Sequence, residues 1–253
     1  MLHDGLYEQV ISKKLEEELS KTDKIFQLEN IDTAEASKVL SKYIAEVVQK
    51  GLDQVLDNGG GIFEQIELAN RIINTVADKT NDADFTSLSV SDKAQELLSL
   101  FDKKNSILAL DPKAKIVRPE TSIAESSLFT GAVREPQMFT ELKKEILSCD
   151  KIDMLVSFIK WSGLRLIMDE LKSFTSKGGK LRIITTSYMG ATDVKAVEEL
   201  NQLPNTDIKV SYDTKRTRLH AKTYVFYRDS GFTTAYVGSS NLSNAAISSG
   251  PEW

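Results

Sequence analysis

Between residues 136 and 237 the hydrophobic period switches repeatedly, and this switching constrains the fold more than any other property of the chain. Helical spacing over Pro136–Ser148 gives way to a continuous apolar run of strand length over Ile152–Ile159. A helix over Leu164–Ser176, a Gly178-Gly179 turn, a strand over Leu181–Thr186, a helix over Asp193–Leu203 and a strand over Ile208–Tyr212 follow. None of these segments can bury its apolar face alone, so the alternation predicts an α/β sheet with helices packed on it. Ligands of such sheets gather at strand ends, which singles out the polar tails Ser157, Thr185, Thr186, Ser187 and Asp213. Residues of this kind mostly form turns. Ser157 and Thr186 rank first as substrate contacts because each ends an apolar strand.

The last of these elements is a predicted hairpin. From Arg218, the sequence passes through His220-Ala221-Lys222 into a β-branched run, Thr223–Tyr227, and turns over Arg228–Gly231. A second run, Thr233–Val237, ends in Gly238-Ser239-Ser240-Asn241. Side chains alternate along a strand, so His220 and Lys222 share one direction, as do Ser239 and Asn241. Antiparallel pairing brings an imidazole, an ammonium, a hydroxyl and a carboxamide to one end of the sheet. Together they suit a phosphate, offering a nucleophile or base, a fixed positive charge and two hydrogen-bonding groups.

The spacing His220-x-Lys222 with a later Gly238-Ser239-x-Asn241 resembles the HxK(x)4D(x)6GSxN signature of the phospholipase D superfamily of phosphodiesterases. Glu252, eleven residues after Asn241, stands where that family often has a supporting acid. At the position of the family's Asp stands Tyr227, and Asp229 follows two residues later. Some nuclease-like members lack that Asp. The opening LHDGLYEQVISKKLEEEL, the segment RPETSIAESSLFTG and the run DKIDMLVSFIKWSGLRLIMDEL are similar to the N-terminal region of large bacterial proteins joining a phospholipase D-like domain to a superfamily 2 helicase. No Walker A sequence occurs in the chain. The motif's closeness to Trp253 therefore suggests a piece of a longer, helicase-bearing protein.

The resemblance implies His220 as nucleophile, with a phosphohistidine intermediate, Lys222 neutralising phosphoryl oxygens, Ser239 and Asn241 holding them, and Glu252 orienting the imidazole. Arg218, Ser157 and Thr186 complete the candidate set as substrate contacts. No metal or other cofactor is implied. Family members usually use two such motifs, the second His protonating the leaving group, and this chain has one. A homodimer joined through the motif face would supply the other. Three functions compete: a phosphodiesterase acting on nucleic acid, with DNA favoured over RNA; a non-catalytic phosphate-binding module that positions DNA for a helicase, suggested by Tyr227; and a phospholipase, disfavoured because no basic amphipathic segment offers a membrane contact.

Composition narrows the field. The chain has 253 residues, 41% hydrophobic and 27% charged, in the range of globular proteins. With one Cys and two His it can form no internal disulfide and no His/Cys zinc cluster. Cys149 is expected as a small buried residue at a helix end. Five acidic and two basic residues in Met1–Leu19 exclude a signal peptide, which leaves the cytoplasm as the expected location and no membrane as a partner. The net charge of −5 is unevenly spread: from Thr130 onward 17 Lys and Arg face 14 Asp and Glu, against 15 and 23 before it. The motif lies in the basic half, which is compatible with a phosphate-bearing ligand.

The first ~80 residues read as helices. Gly5–Leu19 is amphipathic, Asp32 with Glu35 forms a capping box ahead of an apolar stripe from Val39 to Leu56, and Asp57–Gly61 terminates that helix. Ile62–Val76 is again periodic, and Ser91–Phe101 suggests a further short helix. The expected organisation is an all-α N-terminal domain (1–110), a connector (111–133) carrying Pro112 and Pro119, and a phospholipase D-like α/β domain (134–253) truncated at its C-terminus.

Overall fold

The computed structural model describes residues 2–102, 115–129, 136–213, 219–239 and 241–243. Two compact units divide the chain, Met1–Leu100 and Phe101–Trp253.

The first unit is helical. α1 (Lys13–Ser20) starts where the Ser12 hydroxyl accepts the Leu15 N–H at 3.2 Å, so only the second half of the amphipathic stretch from Gly5 is helix. α2 (Ala36–Asp57) begins later than the capping box predicts. The Asp32 carboxylate takes the Ala34 N–H at 2.9 Å, forming a turn before the helix instead of its cap. The predicted glycine stop holds: Gly60 N–H bonds back to Val55 O at 2.9 Å, and the next helix, α3 (Ile62–Thr80), opens with the Glu64 carboxylate accepting the Gly61 N–H at 2.8 Å. Within this unit Ile66 and Ala77 are the buried hydrophobics among the described residues, while Leu40, Ile44, Val47 and Leu56 of the α2 stripe are 41–53% exposed. The stripe marks a helix correctly and its burial wrongly, because only Val39, Tyr43, Val48, Leu52 and Val55 are half-buried. A 3-10 turn covers Ala83–Leu88, and 91–101 forms no helix.

The second unit contains α4 (Met138–Ser148), β1 (Lys151–Val156), α5 (Trp161–Leu164), α6 (Met168–Ser176), β2 (Lys180–Thr186), α7 (Val194–Asn201), β3 (Thr206–Ser211), β4 (Lys222–Tyr227) and β5 (Thr234–Val237). The expected helix over Leu164–Ser176 is broken at 165–167. There i→i+3 bonds (Leu166 N to Gly163 O, Ile167 N to Leu164 O, both 3.1 Å) tighten the chain so that Leu164, Ile167, Met168 and Leu171 are all buried. Cys149 caps α4 half-buried, and burial pushes its thiol up to about 12.

The sheet runs in the order β3-β2-β1-β4-β5. β1, β2 and β3 are parallel, β4 is antiparallel to β1, and β5 antiparallel to β4. One face carries the core: Ile152, Met154 and Val156 of β1, Leu181 and Ile183 of β2, and Tyr224 and Phe226 of β4 pack against Leu142 and Ile146 of α4, Leu171 of α6 and Leu200 of α7. Each such side chain taken out of water contributes roughly 1.5–3 kcal/mol before chain entropy is charged against it. The chain is thus an all-α N-terminal unit followed by an α/β unit. Among the described residues no helix is long and apolar enough to cross a membrane.

Candidate phosphate site

The register of the central strands decides which strand ends meet. Val156 of β1 pairs with Lys222 of β4, and Thr223 pairs with Val237 of β5. The carboxyl ends of β1 and β5 therefore flank the start of β4. Bonds beyond the strands continue the pattern: Ser157 N–H donates to Ala221 O at 2.9 Å, and Gly238 N–H to Lys222 O at 3.3 Å.

Alternation along β4 turns Lys222 onto the core face with Tyr224 and Phe226, and only 8% of the residue is exposed. Its ammonium stands 2.9 Å from Nε2 and 3.1 Å from Nδ1 of the exposed His220. An ammonium can only donate, so the contact falls on the ring nitrogen that carries the lone pair. Asn241 is buried, and its Oδ1 accepts the Phe158 N–H at 3.3 Å. With the carbonyl engaged, the amide's two N–H bonds are its remaining polar offering, which suits phosphate oxygens. Ser239 is exposed one residue beyond the Gly238 link.

Ser157 and Thr186 occupy different positions relative to this cluster. The Ser157 hydroxyl donates to Ala221 O at 3.2 Å, so it pins the residue between His220 and Lys222. Thr186 is buried two strands away, its hydroxyl donating to Ser211 O at 3.0 Å and accepting the Tyr188 N–H at 3.1 Å. That is turn chemistry, at ~10 Å from β4 by strand spacing. Arg218 and Glu252 lie outside the described residues.

Tyr227 is at the far end of β4, five residues from Lys222 and so ~16 Å away along the strand. Its side chain points to the opposite face, where the Lys151 ammonium lies 4.3 Å from the ring centroid and Asp153 is a hydrogen-bond partner. Asp229 lies beyond it, its N–H on the Asp150 carboxylate at 2.8 Å. Neither position reaches the His220 end.

Two supports of the site have no counterpart in the motif. Gly163 approaches the segment after Asn241 so closely that a Cβ there would sit 2.6 Å from Ser243 Cα. The same segment is tied by Lys160 N–H to Leu242 O at 2.8 Å. Gly163→Ala is expected to displace Asn241 and to destabilise the fold by about 1–3 kcal/mol. Phosphate titration and urea unfolding check this, and wild-type values in both would show that the close approach holds nothing in place.

The second support is a pair of carboxylates on α4. Glu145, fully buried, accepts from Arg228, from Thr234 Oγ1 at 2.9 Å and from Tyr236 OH at 3.0 Å, joining the helix to the hairpin. Burial, helped by that carboxylate, pushes the Tyr236 hydroxyl well above the usual phenol range. Glu141, one turn earlier, takes the N–H groups of Glu120 and Thr121 at 2.8 and 3.0 Å and the Lys144 ammonium at 3.0 Å. Burial works to raise its carboxyl, but the Thr121 and Lys144 bonds together hold it below the ordinary value. The segment 120–129 is thereby moored as a strap beside β5. The available signal was the i, i+4 pair Glu141/Glu145 beside Leu142/Ile146, on a stripe where solvent-facing helices carry apolar residues.

Residues 142–252 match the family model described as cardiolipin synthase, PLD-like domain. This segment is a phospholipase D-like domain. The match begins inside α4 and spans the whole sheet and both parts of the motif. No curated protein matches the chain. Among the described residues of the phospholipase D-like domain and the rest of the chain, no three His, Cys, Asp or Glu side chains stand together as a metal site requires.

Proposed function

We propose that the phospholipase D-like domain is a phosphodiesterase acting on nucleic-acid phosphodiesters. The observation that carries this reading is the Lys222 ammonium held against the His220 imidazole at a sheet edge that Asn241 also reaches. Once the Lys222 ammonium passes from the ring to a non-bridging oxygen, the freed His220 nitrogen attacks phosphorus, the bond to the leaving oxygen breaks, and a phosphohistidine forms. Water then attacks the phosphorus, releasing the phosphate monoester and restoring the imidazole. Lys222 and the Asn241 amide offset charge on the non-bridging oxygens, with Ser239 beside them, and Glu252 orients the imidazole. The leaving alkoxide needs a proton, and an imidazole with an ordinary pKa of ~6.5 suits that task. A second copy meeting this one about a two-fold axis would bring its own His220 into that role.

The binding-only alternative rested on Tyr227, but that position is a strand's length from the phosphate groups and bears on packing, so it weighs little against turnover. Similarity of the opening and central segments to helicase-linked proteins supports a setting in which the domain cuts or trims nucleic acid beside a motor.

Two results are expected. Cleavage of plasmid and single-stranded DNA persists in EDTA, because the nucleophile is an imidazole; complete inhibition with rescue by Mg²⁺ would sink the phosphohistidine route. Sedimentation velocity at micromolar concentration shows a dimer, and a monomer with full turnover would remove the second copy from the mechanism.

A further inference from the structure

A cavity of about 470 Å³ lies within the second unit, and Lys222 forms part of its wall. Its floor is the core face of the hairpin, Tyr224 and Tyr236, and its roof is the strap that Glu141 moors. The cavity and the candidate phosphate site thus share one side chain. Among the described residues of the candidate phosphate set, Lys222 is the one that lines the cavity, so a group joined to a phosphate on Lys222 is within reach of it.

The lining indicates what that group is. Phe129 and Tyr236, with ring centroids 5.6 Å apart, supply aromatic surface, and Leu128 adds apolar contact. Ser126 adds a hydroxyl on the strap side, and Ser122, whose oxygen accepts the Ala124 and Glu125 N–H groups at 3.2 Å, keeps its O–H to donate. A space of ~300–1,000 Å³ holds one small ligand. Aromatic faces together with hydroxyls match a nucleobase and its sugar, which stack and hydrogen-bond along their edges. An acyl chain would desolvate the same hydroxyls with nothing in return. A base within a duplex cannot enter beneath a strap, since it would first have to leave its stack.

We infer that this cavity is a nucleoside subsite that seats one unstacked base beside the scissile phosphate, so that the preferred substrate is single-stranded. The inference rests on the phosphate-site reading above and adds the identity of the group next to the phosphate.

The test compares equilibrium binding of thymidine 5′-phosphate with that of methyl phosphate to the full chain. The nucleotide is expected to bind roughly tenfold or more tightly, the scale of one stacked base. Ser126→Trp on the strap and Thr233→Trp on the hairpin, which fill the cavity from opposite sides, should each bring the nucleotide down to the affinity of methyl phosphate, with unfolding temperatures near that of the wild type. Equal binding of both ligands by the wild type would overturn the subsite and leave the phosphate reading intact. So would tighter binding of glycerophosphoglycerol than of the nucleotide, which would favour a lipid headgroup. A nucleotide preference that survives both Trp variants would place the base elsewhere. Binding of neither ligand would remove the phosphate site, and the subsite with it.

Discussion

His220→Ala protein is expected to lose diester hydrolysis by at least ~10³-fold while keeping its fold, because no neighbouring group can replace a covalent nucleophile. The fold survives because the side chain is exposed at the start of β4, where truncation changes stability by roughly 0.5 kcal/mol or less. Rates on single-stranded DNA, with circular dichroism on the same sample, check both halves. A wild-type rate from purified His220→Ala protein would defeat the catalytic reading.

Glu145→Ala should produce the largest loss of stability. The carboxylate is 1% exposed and its partner Arg228 8% exposed, so truncation leaves a guanidinium buried without its counter-charge. Breaking such a pair from one side costs about 3–5 kcal/mol, and here Thr234 and Tyr236 lose an acceptor as well. Replacing both partners by leucine should recover much of that loss, since the stranded charge is gone. Urea unfolding of the three proteins decides it: a single variant as mild as a surface substitution would show that the network holds little. Because Glu145 joins α4 to the hairpin that carries Lys222, diester turnover should fall along with stability.

The strands of the second unit were legible because each is a compact apolar run closed by turn residues, and observed bounds fall within a few residues of those expected. His220, Lys222, Ser239 and Asn241 could be placed at one end of the hairpin from antiparallel pairing alone, because register follows once the hairpin turn is fixed. Other features depend on contacts that sequence spacing does not encode. Gly163 reads as an ordinary glycine, yet it approaches the backbone of Ser243, eighty residues away in sequence. Glu141 and Glu145 stand on the apolar stripe of α4, which hints at buried carboxylates, but spacing does not say which distant segments supply their partners. Thr186 was selected by the same strand-end rule as Ser157 and serves its own turn, because that rule finds an edge without saying which strand of the edge meets the ligand. The α2 stripe shows the opposite limit: period reveals a helix, whereas burial depends on what lies opposite.

Lys222 lies almost entirely out of water, and this determines how ionic strength acts on the protein. Mobile ions screen charges in solvent over a Debye length of about 8 Å at physiological salt, but they screen a pair inside the protein far less. Once a phosphate rests on Lys222, added salt weakens that contact little. The exposed lysines and arginines of the basic half have no such shelter. Rising ionic strength should therefore slow the arrival of a long nucleic acid while barely loosening a mononucleotide already seated.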